Sequence, residues 1–380
     1  MSIALLALAA APSLVIERLD WAAAGMDQSF VSDLATIDPR DEAALAEDRN
    51  QQIVAHFGRS DLLAHHSSVH KRRACRAGDE TALSMDALLE RAAATRIVML
   101  NEDHTAPWHR LTTAALLEPL AALGYRYFGA ETFSRTARDG SSDPIERRGD
   151  EAFVRRADGF YFEPSFGRLV ESARSNGYTL VAYEQVHDRD AHANRSPLER
   201  VVARETAQAE ALADIFARDP DARIVVHAGH SHISEEPLWW DDDTDVEWMA
   251  MRLAALTGID PLTIEQTLCT APADNEPRIL SVPAEARSDV GTDVVIETAP
   301  PTDYRPRLDG AIPFRVTDGW RSGPGWTIVE LMRADHPDDA IPVDWLAVHA
   351  SDDLADVPML SAPPGRYRVR LRPLGAPSGD

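Results

Sequence analysis

The sequence predicts an α/β protein: a mostly parallel central sheet flanked by helices, followed by a proline-rich C-terminal extension that contains β-strands. Between residues 84 and 235, short apolar runs alternate with helix-like segments, the order that is typical of a parallel sheet covered by helices. The runs are apolar throughout, as expected for strands that are buried on both faces. Beyond residue 270 the composition changes, because 15 of the 25 prolines lie in residues 271–380, among short β-like runs such as DVVIE, WTIVELM and RYRVRL.

The first half of the α/β region contains two predicted pairs of a helix and a strand. SMDALLERAAAT indicates a helix with Ser84 as its N-cap, and RIVML indicates the buried strand that follows it. WHRLTTAALLEPLAALGY is predicted to form a helix that ends near Gly124 and is kinked or interrupted at Pro119. YRYFGAE is the second predicted strand.

The second half repeats the alternation. SFGRLVESARSNGY predicts a short helix closed by Gly177, and TLVAYE predicts the third strand. The next helix begins with Ser196 as N-cap, Pro197 at the first helical position and Glu199 completing a capping box. It leads into RIVVHAGHSH, whose apolar start predicts the fourth strand.

Four regions are predicted along the chain. They are a possible signal peptide over residues 1–20, an N-terminal helical and loop region over 21–83, the α/β domain over 84–270, and the proline-rich, β-containing extension over 271–380. The apolar run MSIALLALAAAPS places Ala9 and Ala11 as in an A-x-A cleavage site, although no Lys or Arg precedes it. A signal peptide would make the protein periplasmic or secreted, and a mis-set start or a short buried segment would leave it cytoplasmic.

Composition restricts the partners. The 62 acidic residues outnumber the 38 Lys and Arg, for a formal net charge of −24, which argues against nucleic acid or an anionic membrane. No later stretch reaches the roughly 18 apolar residues of a membrane span, and no lipoprotein cysteine follows the first apolar run, so we expect no membrane anchor. Cys75 and Cys269 have no metal-ligand spacing; they form one disulfide if the protein is exported, or remain reduced.

Polar, chemically active side chains follow all four predicted strands. Carboxyl ends of parallel strands meet at one edge of a sheet, where ligands bind in open α/β folds. Burying several carboxylates there without cations would be costly, so we interpret the edge as a functional crevice. Its candidate residues, in chain order, are Glu102, His104, Glu131, Glu184, His227 and His230.

Further candidates flank these strand ends. His109 falls on the first turn of the helix after His104 and either faces the crevice or is a partly exposed helix residue. Arg204 either forms a surface ion pair or serves the crevice, neutralising carboxylates or binding substrate. Asp103 and His232 are the weakest members, because neighbouring side chains on extended backbone point in opposite directions.

These motifs resemble a superfamily that contains erythromycin esterases, ChaN-like haem-binding proteins and TIKI/TraB-type proteins. LNEDHTAPWH is most similar to the ChaN-like form, in which Gly-Glu-x-His follows the first strand and a further His comes shortly after; Asn101 stands where that form has Gly. RETAQAEAL resembles an Arg-(Asp/Glu)-x-x-Met-Ala segment with Gln-Ala in place of Met-Ala, and HAGHSHI resembles the final motif. The likeness covers roughly residues 84–235.

The resemblance implies three alternatives. In the first, a hydrolase of a small-molecule or peptide substrate, His104 is the general base for water, Glu102 or Glu131 orients it, and His227 and His230 polarise the carbonyl. Arg204, Glu184 and His109 would bind the substrate. The reaction would proceed without a metal, or with a divalent metal held by Glu102, His104, Glu131 and His230.

The second alternative is a haem- or iron-binding protein. His109 or Tyr161 would then be the axial ligand, and FYFEPSF would supply an apolar slot. The third is a scaffold that has kept the superfamily fold and lost its chemistry. No G-x-S-x-G or HExxH motif occurs, so the hydrolase alternative favours a water nucleophile over a covalent one.

Overall fold

The computed structural model describes residues 13–21, 28–63, 81–133, 153–159, 162–186, 195–241, 244–271, 277–301, 304–305 and 310–374. The strands of these residues are β1 (Leu14–Trp21), β2 (Thr81–Leu83), β3 (Ile97–Glu102), β4 (Tyr127–Ala130), β5 (Thr179–Val181), β6 (Ile224–Gly229), β7 (Leu238–Asp241), β8 (Thr244–Val246), β9 (Leu262–Glu265), β10 (Arg278–Ser281), β11 (Val294–Glu297), β12 (Ile312–Phe314), β13 (Trp326–Arg333), β14 (Asp344–His349), β15 (Leu360–Ala362) and β16 (Gly365–Pro373). The helices are α1 (Gln28–Thr36), α2 (Glu42–Ala46), α3 (Asp48–His56), α4 (Met85–Ala94), α5 (Trp108–Ala122), α6 (Pro164–Ser175), α7 (Pro197–Arg218), α8 (Met249–Thr257) and α9 (Arg287–Val290).

The main sheet has eight strands in the order β2-β10-β11-β9-β3-β6-β4-β5. The six strands from β11 to β5 run parallel, whereas β10 is antiparallel to both β11 and β2. The predicted class, a mostly parallel sheet flanked by helices with strands in the C-terminal region, is therefore confirmed. All four predicted strands of the α/β region belong to this sheet, and β6 lies between β3 and β4.

Helices cover both faces of the main sheet. On one face α4, α5 and α6 pack their apolar side chains, among them Leu117 and Leu169, against Val98 and Phe128. On the other face α7 and α8 pack against Met99 and Val226. Successive residues of β3 and β6 therefore point to opposite helical layers, and this alternation decides which side chains meet at the carboxyl edge.

Most predicted helix ends are confirmed. The Ser84 side chain accepts a hydrogen bond from the Ala87 amide, and Ser196 and Glu199 form the capping box of α7. Pro119 does not interrupt α5, which continues to Ala122. The proline lies in the last turn and the helix around it is anchored in the core, so the lost hydrogen bond is tolerated.

A second sheet joins the two ends of the chain. Its order is β1-β16-β13-β14, with β1 parallel to β16 and the other pairs antiparallel. The helices α1 and α3 bury Leu34 and Ile53 against Trp326 and Trp345 of this sheet. The N-terminal region and the C-terminal extension thus share one hydrophobic core.

Two predicted region boundaries fall inside sheets. The main sheet continues through β10 and β11, beyond the boundary predicted at residue 270, because β11 pairs with β9. The predicted signal peptide, 1–20, overlaps β1, whereas removal of a leader after Ala11 would leave β1 intact. Residues 1–12 lie outside the described residues.

No helix in the described ranges is both long enough and apolar enough to cross a membrane. Cys269 is disulfide-bonded, and its side chain is buried beside Leu280 and Val295. The other cysteine of the sequence, Cys75, lies outside the described residues.

Candidate active site

Two arginines, Arg110 fully buried and Arg204 partly exposed, organise the carboxyl edge of the main sheet, one on each face. We call the first group the Arg110 cluster; its members are Arg110, Glu102, Glu163, Ser165 and His227. We call the second group the Arg204 cluster; its members are Arg204, Glu131, Glu184, Glu205, Gln208 and His232. They form because neighbouring strands end on acidic residues and the facing helices supply the guanidinium groups.

The Arg110 cluster is almost completely buried. Arg110, on the first turn of α5, donates Nε to Glu102 Oε2 (2.6 Å) and Nη2 to Glu102 Oε1 (2.8 Å). Its Nη1 donates to Glu163 Oε1 (2.7 Å) and to the Ser165 hydroxyl (3.3 Å). The guanidinium also lies over the Phe166 ring, 4.6 Å from its centroid. This geometry is the bidentate pairing in which a guanidinium binds a carboxylate most strongly.

Arg110 keeps Glu102 ionised. Burial on its own raises the pKa of Glu102, but the charges of Arg110 and His227 and the hydrogen bond from His104 hold that pKa well below its usual value. For Glu163, burial likewise opposes ionisation, and the Arg110 charge with the Ser165 hydrogen bonds lowers the pKa. Two carboxylates therefore stay charged in a buried site through one guanidinium.

His227 is a supporting residue. It ends the apolar part of β6 and is 1% exposed. Its Nε2 lies 2.9 Å from Glu102 Oε2, and its Nδ1 lies 3.1 Å from the Thr113 hydroxyl. Because both ring nitrogens are engaged inside the protein, His227 does not polarise a substrate carbonyl as the sequence predicted; it braces Glu102 instead.

His104 lies in the loop directly after β3 and has 22% of its side chain exposed. Its Nδ1 lies 2.7 Å from Glu102 Oε1; since Glu102 is ionised, Nδ1 carries the proton and donates it to that oxygen. The ring is thereby fixed with Nε2 towards Gly229. Burial lowers the pKa of His104, but the hydrogen bond and charge of Glu102, together with the Glu131 charge, raise it above the usual value.

In the Arg204 cluster, one guanidinium joins two strand ends. Arg204 Nε donates to Glu184 Oε1 (3.0 Å), and Nη2 donates to both Glu131 and Glu184. Its Nη1 lies 3.2 Å from His232 Nε2. The Arg204 side chain is 33% exposed, so this cluster is open to solvent, whereas the Arg110 cluster is closed.

Charge balance in the Arg204 cluster depends on His232. Burial raises the pKa of Glu131, but His232, Arg204 and His104 together lower it well below its usual range. For His232, burial lowers the pKa, but the charges of Glu131 and Glu205 and the hydrogen bond to Glu205 (2.8 Å) raise it. Glu205 also accepts a hydrogen bond from the Met249 amide (3.0 Å), which ties this cluster to the start of α8.

Gly229 lies between the Arg204 cluster and His104. Its amide donates to Glu131 Oε2 (2.6 Å). A Cβ at this position would lie 3.1 Å from both Glu131 Oε2 and His104 Nε2. The absence of a side chain at the end of β6 therefore lets Glu131 and His104 approach each other.

His230 is the most exposed imidazole of the edge, with 49% of its side chain accessible. It follows β6 directly, at the start of a 3-10 turn, and its backbone φ is 27°. Its Nε2 lies 4.0 Å from Asp103 Oδ2, and its ring is edge-to-face with that of His104 at 6.2 Å. Asp103 in turn accepts hydrogen bonds from the Thr105 amide and hydroxyl.

His109 has a structural position. It is 1% exposed, and its Nδ1 accepts a hydrogen bond from the Asp103 amide (3.2 Å). The side chain therefore supports the loop that carries His104 and does not contact a substrate in this arrangement, contrary to the substrate-binding role predicted for it. The sequence predicted that His109 either faces the crevice or is partly exposed on the helix, whereas the structure buries the side chain fully.

A resident metal ion does not fit the predicted donor set of Glu102, His104, Glu131 and His230. Among the described residues, no three His, Cys, Asp or Glu side chains are arranged to hold a metal ion. The two carboxylates of the set are paired with guanidinium groups, Glu102 with Arg110 and Glu131 with Arg204, and these compete for the oxygen atoms that a cation would need.

The haem alternative finds little support in the described residues. Its first proposed axial ligand, His109, is buried, and Tyr161 lies outside the described residues. Phe162 and Phe166 of the predicted apolar slot pack into the main core instead. A haem site needs an accessible axial ligand beside an open apolar slot; His109 does not provide the first, and Phe162 and Phe166 do not line the second.

Several residues that build the site were missed by sequence reasoning. Arg110 and Glu163 come together from α5 and the start of α6, and neither follows an apolar strand. The need for a guanidinium among the carboxylates was recognised for Arg204, and the same charge argument applied to the HR pair in WHRL would have found Arg110. Gly229 lies inside the quoted HAGH motif, where a glycine beside two histidines was the available signal.

Comparison with known proteins gives distant similarities. No protein-family model matches the sequence, and no curated protein matches it. Among solved structures, the chain is similar to the type III effector HopBA1, with 14% identity over 61% of this chain and 98% of that one at a TM-score of 0.34.

Two further structures show similarity of the same order. For ChaN of Campylobacter jejuni, described with cofacial heme binding, the identity is 9%, the coverage 59% of this chain and 98% of that one, and the TM-score 0.39. For RRSP, a MARTX toxin effector domain from Vibrio vulnificus, the identity is 17%, the coverage 71% of this chain and 50% of that one, and the TM-score 0.31. Because all three TM-scores are below 0.5, we draw neither fold nor function from them, and the superfamily suggested by the motifs stays a prediction.

Proposed function

We propose that this protein is a hydrolase in which His104 activates water against an ester, lactone or amide of a small-molecule or peptide substrate. The observation that carries the proposal is the pairing of His104 with Glu102. A partly exposed imidazole is fixed through Nδ1 by a carboxylate, and that carboxylate is kept ionised by a buried arginine. This is the arrangement of a general base with its orienting group.

The chemistry follows from the tautomer. With Nδ1 donating to Glu102, Nε2 in the neutral ring accepts a proton from water as the water oxygen attacks the carbonyl carbon. The imidazolium that forms is stabilised by Glu102 and Glu131, the two charges that raise the pKa of His104. It then returns the proton to the leaving oxygen or nitrogen as the tetrahedral intermediate breaks down.

Two further groups of the crevice are suited to the substrate. His230 has an exposed ring across from His104 and would donate a ring N–H to the developing oxyanion. Arg204, which is partly exposed at the carboxyl edge, would bind a polar substrate group while Glu131 and Glu184 hold the guanidinium in place. His227 and His109 do not face the substrate: His227 braces Glu102, and His109 supports the loop that carries His104.

The experiment is a hydrolysis assay with a panel of esters, lactones and peptides. We expect wild type to hydrolyse at least one member and His104→Ala to lose most of that activity, by about 10²- to 10⁴-fold. Glu102→Gln should lose activity as well, because it removes the charge that orients His104. His349→Ala is the matched control: His349 lies on the second sheet, hydrogen-bonded to Ser351, and its removal should leave activity unchanged.

The competing alternatives predict different outcomes. If a hydrolysed substrate is found and folded His104→Ala retains full activity, His104 is not the base. A haem-binding protein would show a shifted Soret band on titration with hemin, and a scaffold without chemistry would show neither hydrolysis nor a haem spectrum.

A further inference from the structure

His230 has an unusual backbone for a residue whose side chain is exposed at the carboxyl edge of the sheet. Its φ of 27° lies in the left-handed region, which residues with a Cβ rarely occupy. Such conformations are strained and persist where surrounding contacts hold them. The contacts of this residue therefore decide where its imidazole points.

The Asn101 side chain provides such a contact. Asn101 is completely buried near the end of β3, and its Nδ2 donates a hydrogen bond to the His230 carbonyl oxygen (2.9 Å). No other described side-chain hydrogen bond is seen on that carbonyl, so within the described residues the amide of Asn101 is the polar side chain that fixes the turn.

Asn101 is itself held from the neighbouring strand. The backbone N–H of Gln266 donates to Asn101 Oδ1 (2.7 Å). Because this atom must accept, the hydrogen bond sets the orientation of the Asn101 side-chain amide. The second Nδ2 hydrogen bond goes to Glu265 Oε2 (2.5 Å), and Gln266 Nε2 donates to the Asn101 carbonyl (2.6 Å). The amide is therefore rigid, with both of its ends engaged by residues at the end of β9.

We propose that Asn101 is a positioning residue that holds His230 in its left-handed conformation and so directs the imidazole towards Asp103 and His104. A glycine at position 101 would keep the strand but supply none of the three side-chain hydrogen bonds. The role of His230 towards substrate rests on the proposed hydrolase, whereas its placement by Asn101 does not, and the two are tested separately.

The test of placement uses histidine NMR and needs no turnover. The ring Cε1–H signal of His230 is assigned by its loss in His230→Ala. Asn101→Asp keeps the side-chain shape and the acceptor for the backbone N–H of Gln266, but it removes both Nδ2 hydrogen bonds. In this variant the His230 signal should move towards the chemical shift of an unstructured histidine. Its nuclear Overhauser contact with the His104 ring should also be lost.

Two further variants complete the design. Glu265→Ala removes one acceptor of the Asn101 amide at a less buried position, and should shift the His230 signal in the same direction by less. Thr113→Val is the matched control, because Thr113 is a buried polar residue that bonds His227 on the opposite face of the sheet; it should leave the His230 signal in place.

The outcomes separate the two claims. A His230 signal that keeps its shift and its contact with His104 in folded Asn101→Asp overturns the placement. If Asn101→Asp does not fold, an unshifted His230 signal in Glu265→Ala overturns it equally. When a hydrolysed substrate is known, Asn101→Asp should lower kcat by up to about 100-fold with a smaller change in KM, as His230→Ala should. If wild type hydrolyses no substrate, the proposed function is refuted, whereas the NMR test of the placement still holds.

Discussion

Replacing Arg110 with methionine tests the electrostatic account of the site. The change removes four hydrogen bonds, two to Glu102 and one each to Glu163 and Ser165, from a side chain that is 1% exposed. Removing one partner of a buried ion pair typically costs about 3–5 kcal/mol, because the other charge stays buried without compensation. Two carboxylates lose their cation here, so we expect a destabilisation in that range at pH 7.

The pH dependence of this loss has a definite sign. In wild type the pKa of Glu102 is lowered, so the pair stabilises the fold above the unfolded value of about 4.5 and the stability is lost as pH falls through the folded pKa. In Arg110→Met, burial raises the pKa of Glu102 and the residue takes up a proton. The variant therefore regains stability as pH falls from 7 through that raised pKa, while wild type loses stability below about 4.5, so the difference in stability between the two proteins should narrow between pH 7 and pH 4.5 and narrow further below it.

The assay is urea unfolding of wild type and Arg110→Met at pH 7 and pH 4.5. The control is Arg40→Met, because Arg40 forms an exposed ion pair with Asp38, and exposed pairs contribute little. The double variant Arg110→Met with Glu102→Gln should recover part of the loss, since it removes a carboxylate left without its cation. An Arg110→Met protein within about 1 kcal/mol of wild type at pH 7 would refute the reasoning.

Two further predictions concern single positions. Gly229→Ala should lower the rate of hydrolysis by about 100-fold, because the added Cβ would lie 3.1 Å from both His104 Nε2 and Glu131 Oε2. The control Gly319→Ala, where a Cβ meets no atom within 4 Å, should leave the rate unchanged. Equal rates in wild type and both variants would contradict the close approach at Gly229. Burial and the charge of Asp293 raise the pKa of Glu235 to about 8, so wild type should lose stability as pH rises from about 4.5 to 8. Glu235→Gln should unfold at a higher temperature than wild type at pH 9 but not at pH 4.5. An equal difference in unfolding temperature at both pH values would show that Glu235 does not titrate in this way.

The sequence predicted the polar ends of four strands because each follows from local pattern. An apolar run of four to six residues followed by Glu or His indicates a strand that ends at an edge, and in a parallel sheet those ends converge. Glu102, Glu131 and His230 were found in this way. The capping box at Ser196 was equally local, since it needs only the two residues Ser196 and Glu199.

The features that sequence reasoning missed depend on tertiary contacts. His227 and His230 are three residues apart, but His227 is buried against Glu102 and His230 itself has a left-handed backbone and an exposed ring, and nothing in HAGH separates the two roles. The pairing of β1 with β16 joins the two ends of the chain, where no local pattern carries information. Arg110 pairs with Glu163 only because α5 and α6 lie side by side on the sheet.

The measurement that tests the central claim most directly is the pH dependence of kcat/KM for a hydrolysed substrate. His104 must be neutral to accept the proton of water, and Glu102 raises its pKa above the usual 6.5. The rate should therefore rise with pH to a plateau, with its inflection above 6.5, and in Glu102→Gln the inflection should move lower as the activity falls. A rate that does not vary between pH 5 and 9, or a profile that is the same in Glu102→Gln, would contradict water activation by the Glu102–His104 pair.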